Sequence, residues 1–180
     1  GALLFWGIII MTSIYNIESE TDLIKQLAIR SGFDLVGIAD CTQLDAEIDY
    51  FNNWVKEKRH ASMEWLSNNM DRRANPNMIL EGCKSIIAVG ANYQPKSEIS
   101  IDQQSKVNKK EYGKVASYAV NKDYHYTIKR LMKEFCREVT DSIQRDVKLK
   151  WYIDTGPVME KVWAQRAGLG FIGKNTCLIN

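Results

Sequence analysis

The stretch CKSIIAVGAN, residues 83–92, constrains the fold more than any other. It is apolar and β-branched, and Tyr93-Gln94-Pro95 follows it, which is the pattern of a core strand. FDLVGIA at 33–39 reads as a second buried strand, and residues 113–120 and 147–153 as two more. Residues 19–30 form a helix with Leu23, Ile24, Leu27 and Ala28 on one face, and Gly32 stops it. Residues 44–58 place Leu44, Ile48, Phe51 and Val55 on an apolar side. Met63, Trp65, Leu66 and Met70 suggest a short helix ending before Pro76. The longest stripe runs over 123–145 through Ile128, Leu131, Met132, Phe135, Val139 and Ile143. The order α-β-α-α-β-loop-β-α-β-α predicts an α+β fold, a mixed sheet flanked by helices, rather than a regular β-α-β alternation.

A length of 180 residues suits one domain, and 45% hydrophobic residues fill a full core. With 24 basic and 22 acidic residues the chain carries no field for indiscriminate nucleic-acid binding, although a specific RNA partner is compatible. Residues 96–111 are polar and charged and read as a surface loop. Cys41, Cys83, Cys136 and Cys177 are far apart, with no C-x-x-C, which argues against a local zinc or iron–sulfur site. Such spacing fits free thiols in a reducing cytosol. The opening run GALLFWGIII is shorter than the roughly 20 apolar residues a bilayer needs. It has no basic residues before it, and Met11 follows. Residues 1–10 are therefore expected to be an upstream extension and 11–180 the domain, with a remnant of a membrane or signal segment as the alternative.

The chemistry gathers in two places. In KWYIDTGPVMEKVWAQRAGLGFIGKNTCLIN a β-prone run ends in Asp154, and Pro157 is placed to open a helix. Asp154 either caps that helix or does chemistry at its start. Gly168-Leu169-Gly170-Phe171-Ile172-Gly173 satisfies G-x-G-x-x-G, but a helix precedes it and an extended segment follows. A dinucleotide site requires the opposite order, so Gly168 reads as the end of a helix. The second place is YAVNKDYHY, residues 118–126, where Asp123 can cap the long helix and Tyr124 and His125 lie in its first turn. Each could equally make ordinary local contacts. Hydrolase arrangements, either Ser/His/Asp or H-E-x-x-H, do not occur.

MEWL…RRANP, VASYAVNKDYH and DTGPVMEKVWAQRAGLGFIGKNT together resemble the epoxyqueuosine reductase family, in order, over residues 23–180. The resemblance implies a cobalamin-processing flavin-reductase-like fold that binds the corrinoid. It implies reduction of the epoxide of epoxyqueuosine on tRNA, the last step of queuosine synthesis, with cobalamin and two [4Fe–4S] clusters. Asp154 would be the proton donor and Tyr124 its partner. Arg73, His125, Lys174, Asn175 and Thr176 would line the cofactor pocket, with no metal ligand in this chain. Asn75 departs from an Asp common in the family. The cluster cysteines of the ferredoxin-like module and the helical-repeat part lie beyond residue 180, so this chain would be the corrinoid-binding N-terminal domain. Without them it would not be active alone. Partners would be the modified tRNA and an electron donor, in the cytoplasm and without a membrane. A corrinoid carrier without catalysis, or a flavin-dependent reductase domain, stand as alternatives.

Overall fold

The computed structural model describes residues 4–12, 17–92, 123–143 and 145–180. A four-stranded sheet runs in the order β2 (Leu35–Asp40), β3 (Ser85–Asn92), β1 (Leu4–Met11), β4 (Leu149–Tyr152). Helices α1 (Ile17–Arg30) and α4 (Tyr124–Ser142) cover one face. Helix α5 (Glu160–Arg166) covers the other, where Leu44 before α2 (Asp45–Lys56) also packs. A short helix α3 (Met70–Ala74) lies between two 3-10 turns. A hairpin of β5 (Phe171–Ile172) and β6 (Leu178–Ile179) follows α5. The α+β class with helices flanking a sheet therefore holds. Every pairing among the described strands is antiparallel, however, so that part of the sheet is not mixed. The expected strand at 113–120 and loop at 96–111 lie outside the described residues.

The opening residues do not stand outside the domain. Leu4–Met11 is a central strand, registered Ile9↔Ile87 on one side and Ile9↔Trp151 on the other. Ile8, Ile9, Ile10 and Met11 are all fully buried. The physical reason lies in strand periodicity, since successive side chains point to opposite faces. Ile9 and Met11 join the α1–α4 layer with Phe135 and Met132, while Ile8 and Ile10 join the α5 layer with Trp163. A strand covered on both faces has no polar positions to show. Its sequence then looks like a piece of membrane segment. No helix among the described residues is long and apolar enough to cross a membrane.

The cysteine expectation is also corrected. Cys41, just past β2, and Cys83, just before β3, form a disulfide across 42 residues of sequence, with Cα atoms 6.1 Å apart. The antiparallel register Asp40↔Ser85 brings the two ends of the strands together, and that proximity is invisible in sequence spacing. Cys136 and Cys177 are thiols. Burial pushes the Cys136 thiol up to about 11, so it stays protonated and inert.

Candidate active site

The acid-bearing loop is placed by the two hydrophobic layers. Ile153 is buried in the α1–α4 layer and Val158 in the α5 layer. Between them the chain must pass around the end of the sheet. The crossing uses up residues 153–158 as a series of bends, so the helix starts only at Glu160 and not at Pro157 as expected. Met159 occupies the position before it, with no side-chain cap. Asp154 therefore does not cap the helix. It adopts a left-handed backbone, φ 53°, tolerable for Asp, and its side chain is exposed.

What Asp154 meets instead is Tyr124, thirty residues away in sequence. The Tyr124 hydroxyl donates to Asp154 Oδ2. Tyr124 opens α4, whose N-cap is Asp123, accepting from the His125 backbone N–H at 2.9 Å, as the sequence suggests. The His125 ring stacks on that of Tyr124, centroids 4.2 Å apart, and its Nδ1 lies 2.7 Å from Asp123 Oδ1. Hydrogen bonds from the His125 backbone and ring hold the Asp123 carboxyl below its usual range. Asp154, Tyr124, His125 and Asp123 thus form a connected set, assembled from the loop after β4 and the start of α4, and none of the four lines the concavity described next.

The other proposed pocket residues divide. Arg73 and Thr176 both line a concavity of about 720 Å³ between α2, α3, the start of α5 and the β5–β6 hairpin. Its wall is largely apolar, built from residues such as Phe51, Leu66, Val158 and Ile172. Thr176 is held there by its carbonyl, which accepts from Lys161 Nζ at 2.8 Å. Lys174 and Asn175 sit exposed in the hairpin turn, and the Asn175 side chain is used within it, accepting from the Cys177 N–H at 3.2 Å. Asn75 likewise accepts from the Asn77 N–H at 2.9 Å through Oδ1, a bond that an Asp oxygen makes equally well. The departure from the family pattern leaves the local turn intact.

The glycine-rich run ends one helix and opens the hairpin. The Leu169 N–H bonds to the Ala164 carbonyl and the Gly168 N–H to that of Gln165, closing α5 with Gly168 in the left-handed region at φ 76°. At Gly170 a side chain would collide with the Ile179 carbonyl. No helix opens within this run, so it offers no phosphate-binding helix start.

One residue escaped the sequence reading. Glu160, in the first turn of α5, lines the same concavity, and its Oε1 is buried with no hydrogen-bond partner. An acid in a first turn reads as ordinary complementarity to the helix dipole, and nothing in the sequence reveals its burial. Burial pushes this carboxyl up to about 7 from an ordinary 4.5. The nearby charge of Asp154 adds to the rise, while its own backbone N–H, Arg73 and Lys161 restrain it. Because the folded value lies above the unfolded one, the native state binds the proton more tightly. The resulting stability is fully present below 4.5 and is lost as pH rises through about 7. The loss is on the order of 3 kcal/mol. Glu160→Gln is expected to flatten that decline, so urea unfolding at about pH 5 and about pH 8 would give nearly equal stabilities in the variant. A wild-type chain as stable at the higher pH as at the lower would contradict it.

With this geometry described, the likenesses to known proteins are specific. Residues 73–155 match the family described as Epoxyqueuosine reductase QueG, DUF1730. The epoxyqueuosine reductase of Cyclobacterium marinum is 37% identical over 165 residues, covering 92% of this chain and 51% of that protein. The structure of epoxyqueuosine reductase from Streptococcus thermophilus superposes with a TM-score of 0.76 at 27% identity, covering 92% of this chain and 42% of that one. An epoxyqueuosine reductase crystallised with an epoxyqueuosine-modified tRNA-Tyr stem loop superposes with a TM-score of 0.70 at 20% identity, covering 91% and 42%. By fold and by these likenesses the chain groups with proteins named as reductases. The chain is similar to epoxyqueuosine reductases over about nine-tenths of its own length. It spans about half the length of the curated relatives it matches.

Proposed function

We propose that this chain supplies the catalytic domain for reduction of epoxyqueuosine to queuosine in tRNA, with Asp154 as proton donor and Tyr124 as its partner. The contact between the Tyr124 hydroxyl and Asp154 Oδ2 carries the reading, because it joins two distant segments at an exposed surface. Deoxygenating an epoxide expels its oxygen, which must be protonated as the C–O bonds break. Asp154 can give that proton. Tyr124 holds the carboxyl in place through Oδ2 and leaves Oδ1 for the substrate. The stacked His125 fixes the Tyr124 ring.

The cofactor proposed is cobalamin. A corrinoid is a broad apolar ring fringed with amides, and the concavity matches that chemistry with an apolar wall carrying Arg73 and Thr176. Those two residues would hold it, with Lys174 and Asn175 as outer contacts and Tyr124, His125 and Asp154 at the reacting edge. Bound cobalamin supplies the electron chemistry, and the protein supplies position and protons. No iron–sulfur ligand is proposed among these residues, and Cys41 and Cys83 bond each other. Electrons would come from a separate donor. A tRNA substrate implies the cytoplasm, where a reducing milieu would open the Cys41–Cys83 bond and leave the ladder between β2 and β3 to hold the strands.

The test is a spectroscopic titration of the chain with cob(II)alamin, run beside flavin mononucleotide. Saturable cobalamin binding with loss of the lower axial base from the spectrum is expected. Binding of flavin alone, or of neither by a folded chain, would overturn the proposal in favour of a flavin reductase domain or a different role.

A further inference from the structure

Between β2 and β3 the chain leaves the sheet and returns to it, and the Cys41–Cys83 disulfide ties the two ends of that excursion together. The excursion carries α2 and α3. From it Glu47, Tyr50, Phe51, Leu66 and Arg73 line the concavity, opposite the start of α5 and the hairpin. One wall is therefore built on a loop whose base is a cysteine pair. We propose that Cys41–Cys83 is a redox-sensitive latch on that wall: the dithiol lets cobalamin enter and leave, and the disulfide slows its release. The inference rests on the function proposed above.

Two chains of hydrogen bonds run from the pair into the wall. Thr42, next to Cys41, accepts from Arg166 Nη1 at 3.1 Å, and Arg166 Nη2 donates to both carboxylate oxygens of Glu47 at 3.1 Å. The Leu44 N–H donates to the Ala74 carbonyl at 3.0 Å, beside Arg73. A change in the course of the chain at Cys41 thus reaches both Glu47 and Arg73. The wall is also weakly anchored between its ends. Ile48 is the buried residue of α2 and Tyr50 is 72% exposed, so the helix leans on its ends for its place. Tying the ends of a loop removes open conformations that it would otherwise visit.

The pair is built to open and reclose. Cys41 is half-buried and Cys83 is 5% exposed, so a thiol or disulfide from solution meets Cys41 first. Even as thiols the two stay opposed, because the β2–β3 ladder runs to Asp40↔Ser85 and the Cys41 N–H donates to the Lys84 carbonyl at 3.2 Å. Closure by a small disulfide of the glutathione class balances as follows. The Cys41 thiol loses its proton, and its sulfur displaces one half of the oxidant to form a mixed disulfide. The Cys83 thiol then loses its proton, and its sulfur displaces the other half as the Cys41–Cys83 bond forms. Two thiols of the chain are oxidised and the oxidant is reduced to two thiols, a transfer of two electrons and two protons. A dithiol reverses the step.

The test uses the chain with Cys177→Ser, so that this exposed thiol does not join two molecules. One portion is treated with oxidised glutathione and another with dithiothreitol, and both are desalted. Thiol titration in denaturant confirms the two states. Each is loaded with cob(II)alamin without air and diluted, and the return of the free cob(II)alamin spectrum gives the release rate. Release is expected to be about 10-fold slower from the disulfide form, as a wall held ready-made gives up less order on binding. Hydrogen exchange in α2 and α3 is expected to slow likewise, with β1 and β3 alike in both forms. Cys41→Ser is expected to release at the dithiol rate whatever the treatment. Equal release from the two forms, or α2 and α3 amides that exchange alike, overturns the inference and leaves the proposed function standing. No cobalamin binding by either form removes the proposed function and this inference with it.

Discussion

Asp154→Asn is expected to slow epoxide reduction by about 10²- to 10⁴-fold, the usual worth of a positioned acid, with cobalamin binding and stability preserved. The substitution isolates the proton. Asparagine tolerates the left-handed backbone that Asp154 adopts at φ 53°, so the loop keeps its course. Its side-chain oxygen can still accept from the Tyr124 hydroxyl, so the partner stays in place. Only the ability to give up a proton disappears. The measurement is single-turnover conversion of an epoxyqueuosine-bearing stem loop by the cobalamin-loaded chain with a chemical reductant. A rate within a few-fold of wild type would remove Asp154 from the acid role and turn attention to Glu160 as the direct donor.

Trp163→Ala is expected to cost about 3–5 kcal/mol in unfolding free energy, read from the shift in a urea midpoint. Trp163 is 1% exposed and is the largest of the fully buried side chains among the described residues. It packs in one cluster with Ile8, Ile10, Ala88 and Val158, joining α5 to the sheet. The Arg166 guanidinium also lies over its ring, 5.5 Å from the centroid, while bonding Glu47 on α2. A short helix cannot follow a collapsing cavity without dragging the glycine-closed turn and the hairpin behind it. A loss below about 1 kcal/mol would mean that the α5 layer repacks freely.

The sequence was legible where periodicity and local rules decide the outcome. The stripe of α4, its Asp123 cap, the β3 strand and the Gly168 helix stop all depend on a few neighbouring residues, and all fall where expected. The meeting of Tyr124 and Asp154 came from resemblance, since nothing local joins residues thirty apart. Three features were not legible. The opening strand has no polar alternation, because helices cover both of its faces, so a buried strand and a membrane remnant share one pattern. The Cys41–Cys83 bond depends on a strand register. The burial of Glu160 depends on α2 and the hairpin closing over the start of α5, and only the assembled fold shows it.

The path from Ile153 to Val158 has a consequence for how the domain tolerates change. Its first residue is fixed in one hydrophobic layer and its last in the other, with the acid suspended in between. A slackening of either layer therefore reaches Asp154 through only a few covalent bonds. Both hydrophobic layers among the described residues therefore bear on where the acid sits. The methyl groups that hold helices against the sheet on both sides also set the height at which the carboxyl is presented at the surface.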